Sequence, residues 1–207
     1  METVNFIKLF KDLKSTGEMS DEDILYAEKS LNLNFSEEYK AILKKLGATR
    51  FNGIELNGLT KAPALNVVEE TKSYREFNDI SNNLYVISSL GIDDIKIMQN
   101  EKGEVFQCYF NKVEKIANSI FNYLLIDIKN NITIKSLMNF LEKLNIPHYE
   151  YSVGYAEDAI CIEKEEDNWI VYDGERGNKF QLKRFNNEQE ACIEFLTREL
   201  NYALRDQ

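Results

Sequence analysis

The residues able to do chemistry are few and scattered. The 207-residue chain holds one histidine, His148, and three cysteines, Cys108, Cys161 and Cys192. A nucleophilic triad or dyad needs a histidine held beside a serine or cysteine. His148 follows Pro147 in a stretch that reads as a linker, a poor place to hold a catalytic base. The cysteines are far apart and lack C-x-x-C spacing, so they read as ordinary core thiols and not as a disulfide framework or a zinc site. Paired carboxylates can do acid–base work without histidine. The tandem pairs Asp93–Asp94 and Glu157–Asp158 sit in polar turns, where solvated acids are expected. The acidic run Glu163, Glu165, Glu166, Asp167 is rich in oxygen ligands but lacks the order of a calcium-binding loop. In Gly174-Glu175-Arg176-Gly177-Asn178-Lys179 the glycines are too close for a P-loop, and the stretch joins two strands. No catalytic residue, metal site or cofactor is expected.

What remains is surface chemistry. Asp167, Trp169, Tyr172, Asp173, Glu175 and Arg176 fall around one predicted hairpin. Aromatics and arginine beside acids are a composition suited to binding protein. Trp169 and Tyr172 have opposite parity on a strand, so one of them is expected to face inward as a core anchor.

The elements that must position these residues follow from periodicity. Phe6, Leu9, Phe10 and Leu13 form a helical stripe that Gly17 ends. Ser20 opens a second helix with Asp21, Glu22 and Asp23 in its first turn, and Ser36 opens a third that stops at Gly47. Asn66 caps a helix through Val68, Thr71 and Tyr74. Residues 84–88, 92–98 and 104–110 are strand-like, the last two joined by hairpin chemistry at Gly103. Val113, Ile116, Ala117, Ile120 and Leu124 predict a further helix, and Thr133 caps another through Leu137 and Leu141. The pattern breaks at Asn145-Ile146-Pro147-His148, where a domain boundary is expected. Beyond it come short strands at 151–153, 159–164, 169–172 and 179–185, then a helix capped by Asn187. The fold class is α+β: a domain over 1–145, and a small β-meander closed by one helix over 146–207.

Charge divides at the same place. The net charge is −10; residues 1–145 carry −3 and residues 146–207 carry −7, with 14 acids against 7 bases. Such asymmetry points to a basic partner or to a well-solvated acidic face. Non-specific binding to nucleic acid or to an anionic membrane is disfavoured. No apolar run approaches about 18 residues, so no transmembrane helix is expected. Glu2, Lys8, Lys11 and Asp12 interrupt the first residues, so no secretory signal is expected and the chain reads as cytoplasmic.

Ala27-Glu28-Lys29-x-Leu31 followed by Tyr39-Lys40-Ala41-Ile42-Leu43 resembles the opening of the SUKH superfamily. Asn34-Phe35-Ser36 replaces that family's usual Leu-Pro step, and Gly47-Ala48-Thr49 stands where an Asn-Gly-Gly turn is common. Ile54-Glu55-Leu56 and Gly58-Leu59 look like its next strand, and residues 84–106 resemble its central antiparallel sheet. The resemblance covers about residues 20–142. The tail, through Cys161 to Lys164, Trp169 to Tyr172 and Glu175 to Lys179, is similar to small modules appended to bacterial immunity proteins. The resemblance implies a non-enzymatic protein that binds a cognate toxin domain, often a nuclease, and occludes its active site. Asp93, Asp94 and Glu104 of the sheet region join Asp167, Trp169, Tyr172, Asp173 and Glu175 as expected partner contacts. A regulatory or scaffolding module of the same fold is the second expectation, and a metal-dependent hydrolase using the acid cluster is the third.

Overall fold

The computed structural model describes residues 2–91 and 94–205. The chain divides into two compact units, Met1–Lys8 with Asp12–Leu124, and Leu9–Lys11 with Leu125–Gln207. Both combine helices with sheet.

In the first unit, α1 (Glu2–Lys8) precedes β1 (Lys14–Ser15), α2 (Asp21–Leu31) and α3 (Glu37–Lys45). The Ser20 hydroxyl accepts from the Asp23 N–H at 3.1 Å, and the Asp23 carboxylate accepts the Ser20 N–H in return, so two orphan donors are satisfied at once. Ser36 caps α3 through the Tyr39 N–H at 3.1 Å. β2 (Thr49–Phe51) and β3 (Ile54–Leu56) complete a three-stranded antiparallel sheet with β1. Asn66 caps α4 (Val67–Phe77) by accepting from the Val68 N–H at 2.9 Å.

A second sheet then runs as an antiparallel meander of β4 (Tyr85–Ser89), β5 (Lys96–Gln99), β6 (Val105–Tyr109) and β7 (Lys112–Ala117). Gly103, at φ 85°, makes the β5–β6 turn that an ordinary side chain would resist. Tyr74 of α4 packs with Leu84, Val86, Met98 and Cys108 to bury one region of this sheet.

Two elements differ from the sequence expectation. The N-terminal helix stops at Lys8 and does not run to Leu13. Phe10 instead bridges Leu144 in antiparallel fashion, the Lys11 N–H donates to the Lys143 carbonyl, and the Asn145 N–H to the Leu9 carbonyl. Strand-like pairing overrides the helical spacing of Leu9, Phe10 and Leu13. Likewise Val113–Ala117 is not helix but most of β7, paired with β6 across a turn at Phe110 and Asn111. The β-branched Val113 and Ile116 suit a strand. Helix α5 (Ile120–Asn130) begins only after Ser119, whose hydroxyl accepts from the Asn122 N–H.

In the second unit Thr133 caps α6 (Ile134–Leu141) in a reciprocal pair with Ser136. A short 3-10 turn, His148–Glu150, leads into β8 (Tyr151–Val153), β9 (Ala159–Glu165), β10 (Asn168–Glu175), β11 (Asn178–Phe185) and α7 (Glu188–Ala203). The sheet order is β11-β10-β9-β8. β9, β10 and β11 form the antiparallel meander, while β8 lies parallel to β9. Parallel neighbours ordinarily need a long crossover. A strand of three residues is short enough for residues 154–158 to carry the chain back.

Helix α7 buries Ala191, Cys192, Phe195, Leu196 and Leu200 and packs on β9, β10 and β11. On the sheet, Ala159, Cys161, Ile170 and Tyr172 form a compact cluster with Ala156 and Leu182. All three cysteines are buried, and burial raises the thiols, Cys108 to about 11 and Cys192 to about 12, so they are inert packing groups.

Candidate functional site

Strand β10 carries Trp169, Tyr172, Asp173 and Glu175, half of the expected contact residues, and its pleat sorts them. Asp167 lies exposed in the β9–β10 turn, beside Glu166 at φ 53°. Trp169 is half-buried and faces Phe185 on one neighbour and Lys164 on the other. Tyr172 is the inward anchor that opposite parity required: it is fully buried. Its hydroxyl donates to Glu163 at 3.1 Å, Tyr155 stacks on it at 6.3 Å between centroids, and the Lys179 ammonium lies 4.8 Å from its ring. Burial raises the Tyr172 phenol far above its ordinary range. Asp173 is half-buried and accepts from Arg198 of α7 at 3.2 Å. Glu175 is exposed at the β10–β11 turn, whose residues Arg176 and Gly177 both have positive φ. Asp167 and Glu175 therefore sit at opposite ends of β10, about 25 Å apart for an extended strand of this length.

Glu157 organises that second turn. Its carboxylate accepts the Arg176 N–H at 2.7 Å and the Gly177 N–H at 2.9 Å. The Tyr155 hydroxyl and these amides hold it below the usual carboxylate range. Gly174 is needed here: a Cβ would stand 2.0 Å from the Ala156 carbonyl oxygen, so only glycine lets the 154–158 loop close over the strand.

A cleft of about 780 Å³ opens where β9 begins, β10 ends and α7 finishes. Asp173 and Glu175 line it together with Glu150, Asp158, Tyr149 and Tyr202. Its two bases are Arg198 and Arg205. Arg198 is already engaged, donating to Glu194 at 2.8 Å, to Asp173, and to the Gln181 carbonyl at 2.7 Å. Glu199 of α7 does not line the cleft; it is 1 % exposed, with no hydrogen-bond partner for its Oε1. Burial, reinforced by Glu150 and Asp173, pushes its carboxyl up to about 8. The sequence does carry a signal for it. Cys192, Phe195, Leu196, Glu199 and Leu200 share one helical stripe, and an acid on that stripe is an anomaly.

In the first unit the expected residues are dispersed. Asp93 lies outside the described residues. Asp94 is exposed at φ 55°, 3.7 Å from the Lys96 ammonium, which also pairs with Glu70 at 2.8 Å. Glu104, at the other end of β5, accepts from Lys115 at 2.6 Å and Asn100 at 2.8 Å, and the lysine holds it below the usual carboxylate range.

A second cleft, of about 650 Å³, includes Glu38, Ser36, Gly103 and Ser119. Its chemistry is already spent. Glu38 accepts from Thr3 at 2.5 Å, Ile120 N–H at 2.8 Å, Phe121 N–H at 3.0 Å and Gln99 at 3.3 Å. It neutralises the orphan donors that begin α5. Gln99 in turn accepts from Ser36 and Tyr85 and donates to the Gly103 carbonyl.

His148 shares a hydrogen bond with the Tyr151 hydroxyl at 3.0 Å. Among the described residues no group of three or more His, Cys, Asp or Glu side chains is placed to hold a metal ion. No described helix is long and apolar enough to cross a membrane.

An α+β unit whose capped N-terminal helices precede two antiparallel sheets is the arrangement of a SUKH-type domain. A model of SUKH_5, described as SMI1-KNR4 cell-wall, matches residues 4–129, and the chain belongs to that family. The match takes in α2 to β7 and most of α5, while β8 to α7 lie beyond it. No curated protein matches the chain. Membership is consistent with an immunity-type, protein-binding role.

Proposed function

We propose that the chain is an immunity protein that binds a cognate bacterial toxin domain and occludes its active site. The observation that carries the reading is the SUKH_5 match over residues 4–129. The −7 charge of residues 146–207 supports it, because toxins that act on nucleic acid present basic active sites to an inhibitor. Complementary fields speed encounter and favour the right partner. The reading assigns no reaction to the chain itself. Contact residues are proposed among the exposed acids, Asp167 and Glu175 foremost, with Trp169 at one end of β10, Asp173 at the other and Tyr172 supporting both from within. Asp93, Asp94 and Glu104 are proposed as secondary contacts.

The test is co-expression with the toxic domain encoded directly upstream. Rescue of growth with a one-to-one complex supports immunity. Toxicity that persists shifts the reading to a regulatory or scaffolding module that binds an endogenous protein.

A further inference from the structure

The dipeptide Asn-Gly occurs twice in the chain, at Asn52–Gly53 and at Asn57–Gly58. It is the sequence that most exposes an asparagine side chain to attack by the next backbone nitrogen, because glycine puts no side chain in the way. In that step the glycine nitrogen gives up its proton and bonds to the asparagine Cγ, and the side-chain nitrogen leaves as ammonia. One water then opens the cyclic succinimide. Cleavage at one carbonyl gives an aspartyl residue, and cleavage at the other gives an isoaspartyl residue. Water enters and ammonia leaves, and nothing is oxidised or reduced.

The two copies meet opposite surroundings. Asn57 is 1 % exposed. Its Nδ2 donates to the Val86 carbonyl and its N–H to the Ile87 carbonyl at 2.8 Å. The Gly58 N–H, which would be the nucleophile, donates to the Leu65 carbonyl at 2.9 Å. A Cβ on Gly58 would stand 2.2 Å from the Ala48 nitrogen, so backbone packs directly over it and leaves no room for a ring or for water. Asn52 and Gly53 instead form the two-residue turn between β2 and β3, closed by the Phe51–Ile54 pair. Gly53 is exposed, and a Cβ there would meet nothing within 4 Å, so the ring has space and water has access.

We propose that Asn52 is a site of spontaneous deamidation in the folded chain, and that Asn57, in the same dipeptide, is protected. The product alters the first unit in two ways. The Asn52 N–H is held by both oxygens of the Asp12 carboxylate, at 2.9 and 3.2 Å, so a new carboxylate on this residue puts a second negative charge at one turn. The isoaspartyl form also adds a methylene to the main chain. A two-residue turn cannot take that extra atom and keep the Phe51–Ile54 register. The β1–β2–β3 sheet therefore loosens as the molecule ages, whatever partner the chain binds.

The experiment ages the full chain in mildly alkaline buffer, folded and, in parallel, unfolded in guanidinium chloride. Trypsin cuts after Arg50 and Lys61, which leaves both asparagines on one peptide, and fragmentation in the mass spectrometer reads the amide-to-acid mass gain at each. In the folded chain Asn52 is expected to convert at least about tenfold faster than Asn57, which reacts only through local opening. In the unfolded chain the two are expected to convert at similar rates. Hydrogen exchange at Ile54 and Leu56 is expected to be faster in the aged, folded fraction than in fresh protein. No conversion at Asn52 while the unfolded chain converts, or equal rates at the two sites in the folded chain, would overturn the proposal. Unchanged exchange in fully converted protein would overturn the loosening of the sheet.

Discussion

The Glu38–Gln99 network of the first unit and Glu199 of the second meet burial in opposite ways. In the first, Glu38 lies under four donors, and Gln99, fully buried, makes bonds to Ser36, Tyr85, Gly103 and Glu38. In the second, Glu199 is 1 % exposed, has an unpaired oxygen and feels two neighbouring carboxylates. A satisfied network fixes one packing, whereas an unsatisfied acid lowers stability. The first pattern marks a scaffold, and the second marks a buried acid that keeps its proton and whose ionisation works against the fold.

The contrast is sharpest where Glu38 is removed. Glu38→Leu leaves the first N–H groups of α5 without an acceptor, and urea unfolding is expected to show a loss of about 4 kcal/mol. A loss below about 1 kcal/mol would mean that water replaces the carboxylate and the network is no scaffold. Glu199 gives the reverse effect, and its sign follows from proton linkage. The folded chain keeps the Glu199 proton up to about pH 8, while the unfolded chain releases it near 4.5. The folded state therefore holds more protons between those values, so the group's unfavourable contribution is absent below pH 4.5, grows as pH rises and levels off above 8. Glu199→Gln is expected to be more stable than the parent by about 3 kcal/mol at pH 7 and to match it near pH 4.5. A stability difference that does not change with pH would show that Glu199 is not a neutral buried acid.

Smaller effects refine the division. Asp167→Lys with Glu175→Lys is expected to weaken a toxin complex by about 2 kcal/mol in calorimetry, with the chain's own melting point nearly unchanged. Tyr172→Phe removes one hydrogen bond to Glu163 and is expected to cost about 1 kcal/mol of stability with no change in affinity, as befits a core anchor.

Much of the fold is legible in the sequence because local chemistry decides it. Ser20, Ser36, Asn66, Thr133 and Asn187 cap the helices they introduce. Where non-local pairing decides, periodicity misleads. Leu9, Phe10 and Leu13 carry a helical spacing, but the backbone at Leu9–Lys11 bonds to residues more than a hundred positions away. Val113 to Ala117 has apolar residues on a helical spacing, yet pairs as an edge strand. The site was legible by residue type more than by place. Asp173 and Glu175 reach one cleft, but Asp167 sits at the far end of β10. Tyr149 and Tyr202 come to the cleft only through tertiary folding, and no local pattern announces them.

The most direct test of the account is growth of cells producing the upstream toxic domain together with this chain or with its Asp167→Lys/Glu175→Lys variant. The account predicts rescue by the parent chain and loss of rescue by the variant, at equal levels of folded protein. Toxicity unrelieved by the parent, or rescue untouched by reversal of these two charges, would contradict it.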